Sequence, residues 1–130
     1  MNLKIRMFHD ANAPLADGFR RKELLSISDH DFEHKHGFIQ WAFPTQQESR
    51  QVSSAPVLDL ASATWLAEKP DVTEFLEAMI IRFLEFLASN NHWKCSYDHN
   101  HRRISRVIQS TRILHSWELA NWFHGKLSEK

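Results

Sequence analysis

One cysteine, three glycines and four prolines in 130 residues exclude several architectures. The lone thiol, Cys95, allows no intrachain disulfide, so the chain must fold on its own core, and a reducing, cytoplasmic setting is the simple expectation. Tight hairpin turns need residues that tolerate positive φ, and so few glycines argue against a sheet of short strands. Net charge is missing too: sixteen basic and sixteen acidic side chains cancel, which removes the simplest argument for a nucleic-acid or membrane-surface partner. No long apolar run occurs. The most apolar stretch, Ala78 to Ala88, is interrupted by Arg82 and Glu85, whereas crossing a bilayer takes about 20 apolar residues. Lys4 and Arg6 are not followed by the apolar segment of a signal peptide.

What the chain does have is core material. Hydrophobic residues make up 42%, with five tryptophans and nine phenylalanines, and a single domain of this size buries roughly two thirds of its unfolded surface without a metal or cofactor to hold it. The pattern predicts an all-α, compact bundle of five or six helices around a central helix at 71–88, where Val72, Phe75, Leu76, Met79, Ile80, Phe83, Leu84 and Leu87 recur at three and four. Residues 1–16 show no clear period and read as an extended or loosely docked arm before a helical domain at 17–130. Asp17 is the expected cap of a short helix to Leu25, with Phe19 inward and Arg20, Arg21 and Lys22 outward. Ser28 is the cap of a helix running to Phe43, stopped by Pro44, with Asp29 and Asp31 favourable at the positive end of its dipole. Thr45 to Ala55 reads as a surface loop, Asp59 as the cap of a helix to Glu68, Asn100 as the cap of a helix to Leu114, and Ser116 as the cap of a last helix; His92 to His99 reads as a structured loop.

Three short patterns could carry chemistry, and none does so convincingly in its context. His30-Asp31-Phe32-Glu33-His34 has the letters of an inverted zinc-peptidase motif, but it falls in the first turns of a capped helix, with no third ligand in view. Asp98-His99-Asn100-His101 has the letters of an H-N-H nuclease without the hairpin such a site needs. No glycine-rich phosphate loop, serine–histidine–aspartate spacing or activating partner for Cys95 is visible, so the expectation is a non-enzyme without catalytic, metal or cofactor sites. Residues 101–130 carry six basic and two acidic side chains, and residues 59–91 the reverse. Arg102, Arg103, Arg106 and Arg112 therefore form either a phosphate-facing helix or half of a set of interhelical ion pairs, and zero net charge favours the second.

Two blocks remain. Glu33-x-x-His36-x-Phe38-Ile39-Gln40-Trp41-x-Phe43-Pro44 is followed about sixty residues later by Asn100-His101-x-Arg103-Ile104-Ser105-Arg106-Val107-Ile108. Together they resemble the conserved region of the opioid growth factor receptor family, whose blocks commonly read Tyr-Ile-Gln-Trp-Leu-Phe-Pro and Asn-His-x-Arg-Ile-Thr-Arg-Ile-Leu. Phe38, Ala42 and Ser105 are mild departures from that pattern. The resemblance runs from about residue 17 to the end and is closest to short, stand-alone members of the family. It implies a helical binding or interaction module with a peptide or protein partner. The vertebrate member is described as a receptor for the peptide methionine-enkephalin, unrelated to seven-helix opioid receptors, found at the nucleus and linked to restraint of cell proliferation, with a long repeat-bearing tail beyond this region.

Physics offers a reason for the blocks to meet. Glu33, His36 and Gln40 form a polar strip on the helix expected at 28–43, and they could face Asn100, His101 and Arg103. Such a cluster is either a structural network fixing a helix crossing or a ligand cleft with Trp41 or Trp93 as an aromatic wall and Arg103, beside Arg106, as anchor for a carboxylate or phosphate.

Overall fold

The computed structural model describes residues 2–15, 18–35, 37–46, 56–90, 93 and 100–128, and among these it contains eight α-helices and no strand beyond one isolated parallel bridge, Thr45 to Val57. The all-α bundle is as the pattern predicts, with more and shorter helices than expected.

The first correction is at the N-terminus. Instead of a loose arm there is α1 (Leu3–Ala11), capped by the Asn2 side chain, whose oxygen accepts from the amides of Lys4 and Ile5 at 3.1 and 3.2 Å. Ile5, Phe8 and His9 are buried, a 3–4 spacing obscured in the sequence by a histidine inside and by Leu3 and Met7 outside. The helix ends at Asn12, which takes the left-handed conformation (φ 56°) that asparagine tolerates. Next comes α2 (Arg21–Leu24), shorter than predicted because Gly18, at φ 91°, turns the chain just before it. Asp17, its expected cap, lies outside the described residues.

The second correction concerns the helix expected at 28–43. Ser28 does cap α3 (Asp29–His34), its hydroxyl accepting from the Asp31 amide at 3.1 Å, but α3 stops at an extended Lys35, and a separate α4 (Phe38–Ala42) follows Gly37. Glycine inside a helix costs about 1 kcal/mol relative to alanine, and the carbonyls freed at this break are taken by a side chain from elsewhere, described below.

The rest follows the pattern closely. Asp59 caps α5 (Leu60–Ala67) by accepting from Ser62 N at 3.0 Å. Pro70 sits in the first turn of α6 (Pro70–Ser89), the 20-residue central helix, which buries Val72, Phe75, Leu76, Met79, Ile80, Phe83, Leu84, Phe86 and Leu87. Around it Phe32 stacks on Phe86 (4.4 Å between ring centres) and meets Phe38 edge-on at 5.1 Å, so α3 and α4 are held to α6 by aromatic packing. Arg82 of α6 donates to the Ile27 carbonyl and to Asp29 at 2.7 Å, tying α6 to the start of α3. Then come α7 (Asn100–Leu114) and α8 (Trp117–Ser128), the Ser116 hydroxyl capping the latter by accepting from Leu119 N at 3.1 Å. Asn100 is the first residue of α7, and its buried side chain turns inward. The expected surface loop has a buried start: Thr45 is inside and its carbonyl accepts from Leu58 N at 2.7 Å, while 47–55 lie outside the described residues. Of 92–99 only Trp93 is described; it is buried and donates from Nε1 to the Leu87 carbonyl at 2.8 Å. No helix among the described residues is long and apolar enough to cross a membrane.

Candidate functional site

The break between α3 and α4 is where the two signature blocks meet. Arg103, one turn into α7, enters the protein with 6% of its surface exposed. Its Nη1 donates to the Phe32 carbonyl at 2.7 Å and to Asn100 Oδ1 at 3.2 Å, and its Nη2 donates to the Lys35 carbonyl at 2.8 Å. Asn100 Nδ2 in turn donates to Glu33 Oε2 at 3.3 Å. The guanidinium thus sits at the C-terminal end of α3, where orphan carbonyls and the negative end of the helix dipole favour a cation. It also lies 5.7 and 5.6 Å from the ring centres of Phe32 and Phe38, within cation–π reach. A carboxylate, an amide, a guanidinium and two carbonyls satisfy one another. This cluster ties the start of α7 to the C-terminal end of α3.

The structure brings Glu33, Asn100 and Arg103 together and distributes the remaining candidates. His36 lies outside the described residues. With the helix broken, Gln40 sits half-buried on α4, a separate helix from the α3 that carries Glu33. His101 bonds through Nε2 to the carbonyl of Trp93, whose side chain is buried. Arg106 donates from Nε to the Phe43 carbonyl at 3.0 Å, and burial pushes its pKa below the ordinary arginine value. Trp41 belongs to a different junction, with α1.

That second junction was not visible in the sequence. His9 is fully buried, with Phe8 and Phe75 edge-on to its ring at 5.1 and 5.6 Å, and its Nε2 donates to the Trp41 carbonyl at 2.8 Å. Because a carbonyl only accepts, Nε2 carries the proton of the neutral ring and Nδ1 is the bare nitrogen; it is buried without a hydrogen-bond partner. Burial, reinforced by the nearby positive charge of Arg21, outweighs the bond to Trp41 and pushes the pKa down to about 4. Arg21 itself donates to the His9 carbonyl. The usable sequence signal was Asn2 as a cap followed by Ile5, Phe8 and His9.

On the surface, the four arginines of α7 do not form one basic face, since Arg103 and Arg106 point inward and only Arg102 and Arg112 are exposed. Nor do α6 and α7 neutralise each other as expected. The His115–Glu77 contact at 2.7 Å joins them, but among the described residues Glu74, Glu85, Arg102 and Arg112 make no ion pair. Arg112 stacks on Trp117 of α8, 4.2 Å from the ring centre. His30 and His34 are exposed and stacked on each other at 4.4 Å, and no three metal-ligating side chains gather among the described residues.

A separate corner is apolar. The Asn2 backbone N–H donates to Asp59 Oδ1 at 2.7 Å and to Ser62 Oγ at 2.9 Å, and its side chain donates to the Val57 carbonyl at 3.3 Å. These bonds hold the start of α1 against the start of α5, and Leu3 and Met7 on the one segment and Val57 and Leu60 on the other are all exposed, Leu3 at 65% and Leu60 at 73%. No family model, curated protein or solved structure matches this chain.

Proposed function

We propose that this chain is a non-enzymatic binding module for a peptide or protein, as its resemblance to the conserved region of the opioid growth factor receptor family implies. The carrying observation is that Leu3, Met7, Val57 and Leu60 are all exposed on two segments tied together through Asn2. Aliphatic side chains at such exposure on neighbouring segments mark an interaction surface, and the bonds from Asn2 to Asp59 and Ser62 hold those segments together. The Arg103 junction, in this reading, is the scaffold that holds α3, α4 and α7 in place, and the ligand binds elsewhere. The probe is methionine-enkephalin, titrated calorimetrically into the folded protein. Saturable binding that Leu60→Glu abolishes is the expected result; no binding at millimolar peptide overturns the receptor activity carried by the resemblance.

A second reading, phosphate or nucleic-acid binding along residues 102–112, rests on the exposed Arg102 and Arg112 beside Trp117. Two exposed guanidiniums are a small footprint. Retention on heparin and a salt-sensitive shift with random duplex DNA support it, and their absence at low salt ends it.

A further inference from the structure

We propose that the outer faces of α6 and of α7–α8 pair with a second copy of this chain, each acidic face lying on its partner's basic one. The outward stripe of α6 runs Glu74, Glu77, Ile81, Glu85, at helical spacings of three and four, and all four side chains are exposed. The outward stripe of α7 runs from Arg102 to Arg112, also at helical spacing, and continues into Trp117 at the start of α8, which is 61% exposed. Ten residues separate Arg102 from Arg112 and eleven separate Glu74 from Glu85, so at 1.5 Å per residue both stripes are about 15 Å long.

Three observations favour a second copy over an unrelated partner. The charges stand unpaired within the molecule, since Glu74, Glu85, Arg102 and Arg112 make no ion pair among the described residues. The two stripes meet: His115, three residues beyond Arg112, touches Glu77 of the α6 stripe at 2.7 Å. Finally, opposite faces side by side on one surface are what a two-fold axis requires, because rotation about their border places each on the other's counterpart and closes the assembly at two. Ile81 and Trp117, both exposed large side chains within the stripes, supply the apolar contacts that a purely ionic interface would lack.

The test is charge reversal in two separate chains. Sedimentation equilibrium of the unaltered protein should show a dimer at low salt whose dissociation constant rises roughly tenfold or more between about 20 mM and 500 mM salt, as the Debye length falls from about 20 Å to about 4 Å. Glu74→Lys with Glu85→Lys should be monomeric, as should Arg102→Glu with Arg112→Glu. An equimolar mixture of the two variants should again be dimeric, because every facing pair is then of opposite sign. All these positions are exposed, so unchanged helical circular dichroism should accompany each variant and separate loss of pairing from loss of fold. An unaltered protein that stays monomeric at about 200 μM and low salt overturns the proposal, the weak end of specific association lying near millimolar. So does a dimer indifferent to both reversals, or a mixture that fails to pair.

Discussion

Arg103 and His9 are both nitrogen-rich side chains buried at a helix junction, and both bond to backbone carbonyls of the 28–43 region, yet the protein treats them in opposite ways. Arg103 stays charged and is surrounded by acceptors: two carbonyls, Asn100 and, through it, Glu33. His9 has one acceptor, the Trp41 carbonyl, and phenylalanine rings elsewhere, so it is kept neutral. The difference teaches that burial alone does not set the state of a basic group. What decides is the number of oxygens the surrounding backbone turns toward it, and a broken helix end supplies more of them than an intact helix does.

The largest effect expected is at the satisfied junction. Arg103→Ala removes the donor that serves the Phe32 and Lys35 carbonyls and leaves the buried Asn100 Oδ1 without its bond to the guanidinium. We expect about 3–4 kcal/mol of destabilisation, read as a fall in Tm of about 10 °C. A change under about 2 °C would mean that the guanidinium is dispensable to the fold and that the comparison with His9 is misconceived.

Next in size is the pH response of His9. Its folded pKa, about 4, lies below the ordinary histidine value of 6.5, so between those values the unfolded chain binds more protons. Stability is therefore full well above pH 6.5 and falls as the pH drops toward 4, by about 2 kcal/mol at pH 5 and about 3 at pH 4, with only roughly a few tenths more lost from this group below that. Urea midpoints at pH 7 and pH 5 measure it. In His9→Phe the loss of the Trp41 bond should lower stability at pH 7, while the difference between the two pH values should largely vanish; a slope that persists in the variant would place the titration on another histidine.

These two junctions also mark the limit of what could be read from the residues. Asn100 and Arg103 were identifiable because they recur in a patterned block one helical turn apart, and Glu33 because it opens the other block. The break at Lys35 was not identifiable: Ser28 and Pro44 bounded a plausible helix, and only Gly37 hinted that the carbonyls of Phe32 and Lys35 would go to a side chain 71 and 68 residues away. Helix α6 was legible in full because its period is dictated by burial along its own length. His9 was hidden because burying a histidine and exposing Leu3 and Met7 inverts the polarity pattern on which such reading depends. The apolar corner was hidden for the same reason, since exposure on a short helix leaves no signature until its neighbour is placed.

Asp59 gives a smaller effect and a second pH window. Its carboxylate caps α5 and also receives the Asn2 amide and the Ser62 hydroxyl at 2.7 Å each. Those hydrogen bonds, led by the one from the Ser62 side chain, hold its pKa below the ordinary aspartate range. A depressed carboxylate stabilises above its unfolded pKa and loses that contribution as the pH falls through the folded one, so Asp59 acts below about pH 4, where His9 has finished. Asp59→Ala should cost about 1–2 kcal/mol at pH 7, the usual range for an N-cap. It should also free α1 from α5, seen as faster amide exchange at Asn2 than at the core of α6.

The smallest effect separates two explanations of Arg103 itself. Arg112 lies 4.2 Å from the Trp117 ring centre, closer than Arg103 lies to either phenylalanine. If the ring contacts were what made Arg103 valuable, Arg112→Ala would be the more damaging of the two alanine variants. Trp117 is largely exposed, however, and a cation on a solvated ring contributes only about 0.5 kcal/mol, whereas desolvated hydrogen bonds to carbonyls have no water to replace them. Arg112→Ala should therefore shift Tm by about 2 °C or less, a difference from Arg103→Ala that assigns the junction's strength to its oxygens and leaves Arg112 available for contacts outside the chain.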